Sequence, residues 1–160
     1  MTGDGSKIRV RQHTALRSPS KVTTLTREPN DSSGSTITLA FSDALGRVLQ
    51  QQHEAIVEGT WTGVATSAVK FDAVGNAVQR YAPFQMQAFN GVYAAPSASA
   101  AATTLQYDAL GRATRTTSPD GTYRTADYSV AWQTTAMDEC FNAAGCQGAT
   151  TVEIRDGLGR

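Results

Sequence analysis

The sequence predicts an all-β chain built from consecutive antiparallel β-hairpins. Three observations carry this expectation. A short Asp-x-x-Gly motif recurs four times along 160 residues. Each copy follows a run rich in Thr, Val, Ile, Leu or aromatic residues, the composition of a strand that ends in a tight turn. Charged residues make up only 18% and hydrophobic residues 40%, with Thr, Ser, Ala and Gly abundant. That balance suits half-buried pleated surfaces and is too apolar for a disordered chain.

The motif copies are Asp43-Ala44-Leu45-Gly46-Arg47, Asp72-Ala73-Val74-Gly75-Asn76, Asp108-Ala109-Leu110-Gly111-Arg112 and Asp156-Gly157-Leu158-Gly159-Arg160. Asp is favoured at the first position of a type I turn and Gly at the fourth. The carboxylate can accept a backbone N–H two residues on. The glycine can take positive φ and close the hairpin with a bulge. Asp43, Gly46, Asp72, Gly75, Asp108, Gly111, Asp156 and Gly159 are therefore read as structural turn positions, not as catalytic carboxylates. Asp120 and Gly121, in Ser118-Pro119-Asp120-Gly121, mark a further turn with Pro at its second position.

The third copy opens with Tyr107-Asp108, and with it residues 36 to 160 resemble the YD (Rhs) repeat family. The wider arrangement includes Tyr81-Ala82-Pro83-Phe84, then Asp120-Gly121-Thr122 ahead of Ala131-Trp132. It is most similar to the B component of bacterial toxin complexes and related virulence-plasmid toxins. The resemblance implies hairpins joined into a curved or spiralling Rhs-type sheet that is part of a larger shell enclosing a cytotoxic segment. It implies as partners the rest of the same polypeptide or a toxin-complex subunit, and a secreted or cell-surface location. Some members cleave themselves with a region beyond the repeats, which these residues do not include.

Taken in order, residues 1–34 form a basic N-terminal part with candidate strands at 7–11 and 21–26 and a loop at 28–34. Its cations, among them Lys7, Arg9, Arg11, Arg17, Lys21 and Arg27, read as a solvated strand face. Residues 35–160 hold the four repeats, with turns at 43–46, 72–75, 108–111 and 156–159. Ile37, Leu39 and Phe41 share one face of the first strand, and residues 47–55 return through Gln50-Gln51-Gln52. Residues 58–63 read as a turn with Trp61 anchored on a neighbouring strand. Pro83 interrupts pairing, and residues 84–93 form an aromatic segment packed over a sheet. Ala94 to Ala102 is a low-complexity surface loop. Residues 103–132 are expected to form a three-stranded meander whose last strand runs from Thr122 to Trp132. Residues 137–147 are irregular, and 149–154 lead into the last copy. Because Arg160 falls on the final position of a motif, the chain is expected to be a fragment of a longer polypeptide.

The copies differ in one respect. Counted back from the turn glycine, the apolar residues lie four and six positions before it in the second and third copies (Phe71 and Val69; Tyr107 and Leu105). In the first and last they lie five and seven before (Phe41 and Leu39; Ile154 and Val152). A one-residue offset reverses the face of a strand. Either the turns carry different bulges or these strands face the other way.

Little chemistry is legible. Fourteen basic residues balance fourteen acidic ones, which gives no footprint for nucleic acid. No run is long and apolar enough for a membrane-spanning helix, and residues 1–7 do not read as an export signal. His53 has no nucleophile at motif spacing, and Asp138 and Glu139 read as loop charges. Cys140 and Cys146 can be free thiols, a disulfide, or two ligands of a metal completed from elsewhere; neither His13 nor His53 is near in sequence. No enzyme activity and no cofactor or metal is expected. The expected function is a structural segment of a toxin-type β shell. The alternative is a carbohydrate-binding module that engages cell-surface glycans.

Overall fold

The structure, a computed structural model, describes residues 9–13, 19–27 and 35–156. The described residues are mostly antiparallel β. Beyond the strands, the described residues include one short 3-10 helix, Glu139–Asn142, and no α-helix. The strands are β1 (Arg9–His13), β2 (Ser20–Arg27), β3 (Ser35–Ser42), β4 (Val48–Val57), β5 (Thr60–Thr66), β6 (Val69–Phe71) and β7 (Ala77–Tyr81). They continue with β8 (Phe84–Gln85), β9 (Ala102–Tyr107), β10 (Ala113–Thr117), β11 (Tyr123–Asp127), β12 (Gln133–Met137) and β13 (Thr150–Ile154). One sheet runs β1-β2-β3-β4-β5-β8, and the other β13-β12-β11-β10-β9-β7-β6. The chain divides into two compact units, residues 1–69 with 81–100, and residues 70–80 with 101–160. The loop expected at 28–34 and most of the last repeat turn lie outside the described residues.

In the first unit the alternation of β3 decides what is inside. Leu39 and Phe41 are buried, and they pair in register with Gln52 and Gln50 of β4, which are 0% exposed. Period-two alternation puts Gln50 and Gln52 on the inner face and Gln51 outside. Two fully buried amides need partners. A strap formed by residues 86–94 supplies them for every side-chain polar atom but Gln52 Oε1, which is buried without a partner. Gln50 Nε2 donates to the Ala94 carbonyl at 2.7 Å, and Gln50 Oε1 accepts the Ala94 N–H at 3.2 Å. Gln52 Nε2 donates to Gln50 Oε1 at 2.7 Å and to the Val92 carbonyl at 3.0 Å.

The same strap crosses the neighbouring strands. Lys21 Nζ of β2 donates to the Gly91 carbonyl at 3.0 Å. The Phe41 ring of β3 meets Tyr93 edge-on, centroids 5.9 Å apart. On β5 the backbone at Gly63 lies under Met86 and Phe89. A Cβ there would stand 2.6 Å from Met86 Cε and 3.0 Å from Phe89 Cβ, so the strap seats closely only on glycine. The aromatic segment thus packs over the sheet, as expected.

Two expectations need correction. Trp61 does not anchor a neighbouring strand: it is 69% exposed on β5, opposite Ile56, itself exposed. The turn before it is only Glu58-Gly59, both at positive φ (50° and 78°), the geometry of a two-residue hairpin. Trp61 therefore falls inside the returning strand, next to its exposed end. The third strand of the meander also ends early. Asp127 accepts the Ser129 N–H at 2.8 Å, and Gln133 N–H closes on the Val130 carbonyl at 3.1 Å. These bonds reverse the chain, so Trp132 sits at a turn and the meander continues through β12 and β13.

The second sheet differs in kind: among the described residues of the second unit, no side chain is buried. Several of its large apolar residues, including Val152 and Ile154 of β13, are exposed.

Replacing Gln50 with Ala leaves the Ala94 N–H and carbonyl without their buried partner, which costs about 1–3 kcal/mol. We expect a lower denaturation midpoint and faster hydrogen exchange at Ala94, measurable by urea titration and by amide exchange.

Candidate functional site at the repeated turns

Three described copies of the motif fold into one structure. In each, the glycine N–H donates to the aspartate carbonyl: Gly46 to Asp43 at 3.0 Å, Gly75 to Asp72 at 3.2 Å, Gly111 to Asp108 at 3.0 Å. The aspartate N–H donates in turn to the carbonyl of the residue after the glycine, Arg47, Asn76 or Arg112, at 2.9–3.0 Å. The carboxylate organises the interior of the turn. Asp43 Oδ1 accepts the N–H of Leu45 and of Arg47, both at 2.9 Å, while Oδ2 takes Arg47 Nε at 2.6 Å. Asp108 repeats this with Leu110 and Arg112 at 2.9, 2.9 and 2.6 Å. Asp72 repeats it with Val74, Asn76 N–H and Asn76 Nδ2 at 3.0, 2.8 and 3.1 Å. The glycines hold φ of 79°, 101° and 77°, a region that side chains with Cβ disfavour.

Sequence reasoning registered Arg or Asn after the glycine without its role. That side chain is the second clamp on the carboxylate. The signal is chemical: both Arg and Asn carry a planar nitrogen donor that can reach back four residues.

The Ser118–Thr122 turn uses the same backbone frame with the carboxylate moved. Gly121 N–H donates to Ser118 at 3.0 Å and Ser118 N–H to Thr122 at 2.8 Å. Asp120, in third place, accepts the Thr122 N–H at 2.9 Å and its hydroxyl at 2.7 Å. Asp156 is the last described residue and is exposed; Gly159 lies beyond the described residues.

The question of facing is answered for the first and third copies. Ser42 pairs with Val48 and Phe41 with Gln50, so Leu49 is the extra residue of a bulge. Tyr107 pairs with Ala113 and Gln106 with Arg115, so Thr114 is extra. Both bulges fall three residues after the turn glycine. Turn and bulge are therefore the same, and the strands present opposite faces. Leu39 and Phe41 point inward in one, and Leu105 and Tyr107 take the more covered face in the other, where the Tyr107 hydroxyl donates to the Ala77 carbonyl at 2.9 Å. In β13 all five residues are exposed.

These carboxyls sit below their ordinary value of 3.8. For Asp43 desolvation pushes upward, and the bonds from Arg47 N–H, Arg47 guanidinium and Leu45 N–H outweigh it. For Asp108 the largest influence is the Arg112 N–H, which lowers it. Asp72 repeats the Asp43 balance through Asn76, and Asp120 is lowered chiefly by the Thr122 hydroxyl.

The remaining candidates are placed as follows. Cys140 and Cys146 are joined by a disulfide in the loop between β12 and β13, so neither is a free thiol or a metal ligand. Asp138 caps the 3-10 helix, accepting Cys140 N–H at 3.1 Å, and its second oxygen takes Ala149 N–H at 3.0 Å across the neck of the loop. Glu139 faces Arg124 at 3.5 Å. His53 lies on β4 between Thr38 and Val64, on the face opposite Gln52. Among the described residues no cluster of three His, Cys, Asp or Glu could hold a metal. No described helix is long and apolar enough to cross a membrane.

No protein-family model and no curated protein sequence matches the chain. Solved structures do match. The crystal structure of TcdB2-TccC3-TEV superposes on 94% of this chain with a TM-score of 0.72 and 21% identity. This chain shares the fold of a segment of the TcdB2-TccC3 structure. The Photorhabdus luminescens Tc holotoxin pore with a TccC3 mutation covers 90% at a TM-score of 0.71 and 23% identity. TcdB2-TccC3 without its hypervariable C-terminal region covers 88% at 0.67 and 22%. The chain spans 9% of the TcdB2-TccC3-TEV chain and 8% of the other two. The chain thus has the Rhs-type hairpin sheet seen in the TcdB2-TccC3 structures.

Two measurements probe these turns. An aspartate whose folded pKa is depressed stabilises the fold above its unfolded pKa, and that stability is lost as pH falls through the folded value. Asp43→Asn combined with Asp108→Asn should unfold at lower denaturant than wild type at pH 7, with the gap closing below about pH 4. Separately, Cys140→Ser with Cys146→Ser removes a short cross-link worth about 2 kcal/mol in chain-entropy terms. Thermal melts with and without a reducing agent should show the wild type falling to the level of the double variant.

Proposed function

We propose that the chain is a structural segment of a repeat-built β shell in a secreted bacterial toxin-type protein, and that the shell encloses a toxin or effector segment. The observation that carries this reading is the second sheet. Seven strands with no buried side chain among the described residues make a layer without a core of its own. A sheet gains independent stability from a hydrophobic face packed on another layer or on neighbouring repeats. A wall that continues into further hairpins and borders a lumen supplies that neighbourhood. The likeness to TcdB2-TccC3 over 94% of this chain supports the same setting. In this role the chain is not an enzyme and needs no cofactor. Its partners are the rest of its own polypeptide or a toxin-complex subunit.

A second reading, engagement of cell-surface glycans, is favoured by one observation, a groove beside Trp132.

The shell reading is tested on the complete gene product that contains these residues. Electron cryo-microscopy should show a hollow β shell, and protease should leave an internal segment intact until denaturant opens the wall. A product without a lumen, or one whose non-repeat segments are all cleaved at once, overturns it.

A further inference from the structure

The strap over the first sheet is pinned on both sides of one dipeptide, Asn90-Gly91, the chain's single Asn-Gly pair. Upstream, Met86 and Phe89 lie against the backbone of Gly63 in β5. Downstream, the Val92 carbonyl accepts Gln52 Nε2 at 3.0 Å. Ala94 accepts Gln50 Nε2 at 2.7 Å and gives its N–H to Gln50 Oε1 at 3.2 Å. Between these ties the Gly91 carbonyl accepts Lys21 Nζ at 3.0 Å. A backbone held this closely on either side has little slack. One extra backbone atom between Phe89 and Val92 has to loosen a tie on one side or the other.

Asparagine before glycine is chemically labile. The next backbone nitrogen can attack the side-chain amide carbon, and glycine has no Cβ to obstruct the approach. Three features of the strap favour that step. Asn90 is exposed, so water reaches it and ammonia can leave. Gly91 holds φ of 73°, and among the described residues none accepts its N–H, so its nitrogen is not tied down. Asn90 Oδ1, the oxygen that takes up negative charge when Cγ is attacked, already accepts the Val92 N–H at 3.1 Å. A donor fixed on a developing oxyanion lowers the barrier to its formation. Asn76 and Asn142 are each followed by alanine. Asn76 is also clamped, its N–H and Nδ2 both donating to Asp72.

We propose that Asn90 is a site of spontaneous covalent modification whose isoaspartate product loosens the strap from the first sheet. The Gly91 nitrogen bonds to Asn90 Cγ, its proton passes through water to the side-chain nitrogen, that nitrogen leaves as ammonia, and a succinimide ring remains. One water then opens the ring. Attack at Cγ breaks the new bond and leaves aspartate. Attack at the Asn90 carbonyl carbon breaks the original peptide bond and leaves isoaspartate, whose chain runs through Cβ and Cγ. Water is the only other reactant. Isoaspartate lengthens the backbone by one carbon between the Gly63 contact and the bonds to Gln52 and Gln50, and it displaces the oxygen that accepts the Val92 N–H. Aspartate adds the charge without the length and leaves the ties in place.

The test ages the complete gene product that contains these residues at neutral pH and physiological temperature. Wild type is compared with Asn90→Ser, whose hydroxyl can still accept the Val92 N–H but cannot close the ring. Peptide mapping by mass spectrometry, with fragmentation that separates isoaspartate from aspartate, reads the site, and amide exchange reads the strap. We expect isoaspartate to accumulate at Asn90 ahead of Asn76 and Asn142. The isoaspartate-bearing protein should exchange the Ala94 N–H about tenfold faster than fresh wild type, the protection given by about one hydrogen bond. Aged Asn90→Ser should exchange as it did when fresh. Asn90 that stays intact in the folded protein, or converts only once urea has unfolded it, overturns the site. Isoaspartate at Asn90 with Ala94 exchange unchanged overturns the loosening, as does equal acceleration in aged Asn90→Ser.

Discussion

One carboxylate per turn sets the geometry of this protein. In each described repeat a single aspartate gathers two backbone N–H groups on one oxygen and a side-chain donor on the other, inside a turn whose glycine alone tolerates the required φ. The turns lie at the surface with Asp43, Asp72 and Asp108 only partly covered, and ion pairs near the surface contribute little on their own. The strength here comes from convergence: donors that the turn would otherwise leave facing water are satisfied by a group already in place. The position of the following bulge, three residues on, is then the same in the two hairpins whose register is described. Strand pairing inherits that position, so the local chemistry of five residues determines which residues meet across ten or more.

The first sheet shows how the repeat tolerates departures from an apolar interior. Its inner face carries Gln50 and Gln52 where hydrophobic side chains would be expected. They are stable there because the strap from Met86 to Ala94 offers carbonyl and N–H groups at the right spacing. An all-apolar face would accept a strap at several offsets; paired amides accept one. Buried polar groups that are connected to a partner specify an arrangement in this way, although Gln52 Oε1 is buried here without a partner. Gly63 reinforces the choice by letting Met86 and Phe89 approach the backbone of β5.

The sequence makes local chemistry legible and long-range partnership much less so. Asp-x-x-Gly is readable because its bonds close within four or five residues, and the expected hairpins and the alternation of Leu39 and Phe41 follow from it. The glutamine run is different. Gln50-Gln51-Gln52 reads only as a run within the returning strand, and its partners lie forty or more residues downstream, so nothing nearby announces that two of the three are buried. Trp61 and Trp132 mislead for another reason. Tryptophan is usually at least partly covered, and both here sit beside chain reversals: Glu58-Gly59 is shorter than the expected turn, and the Asp127–Ser129 bond ends a strand that composition would have continued. The state of Cys140 and Cys146 was open because six-residue spacing suits several chemistries, and only the fold of the intervening loop brings the sulfurs together. The offset between the first and third copies was visible, but choosing between a changed bulge and a changed facing needed the strand register itself.

That choice has a structural corollary. The connector between strands does not encode which face of the sheet becomes covered. A one-residue change in the approach to a turn can therefore exchange interior for exterior along a whole strand while leaving the hinge chemistry untouched. A lineage built from such units could exchange the covered face for the open one hairpin by hairpin without redesigning a single corner.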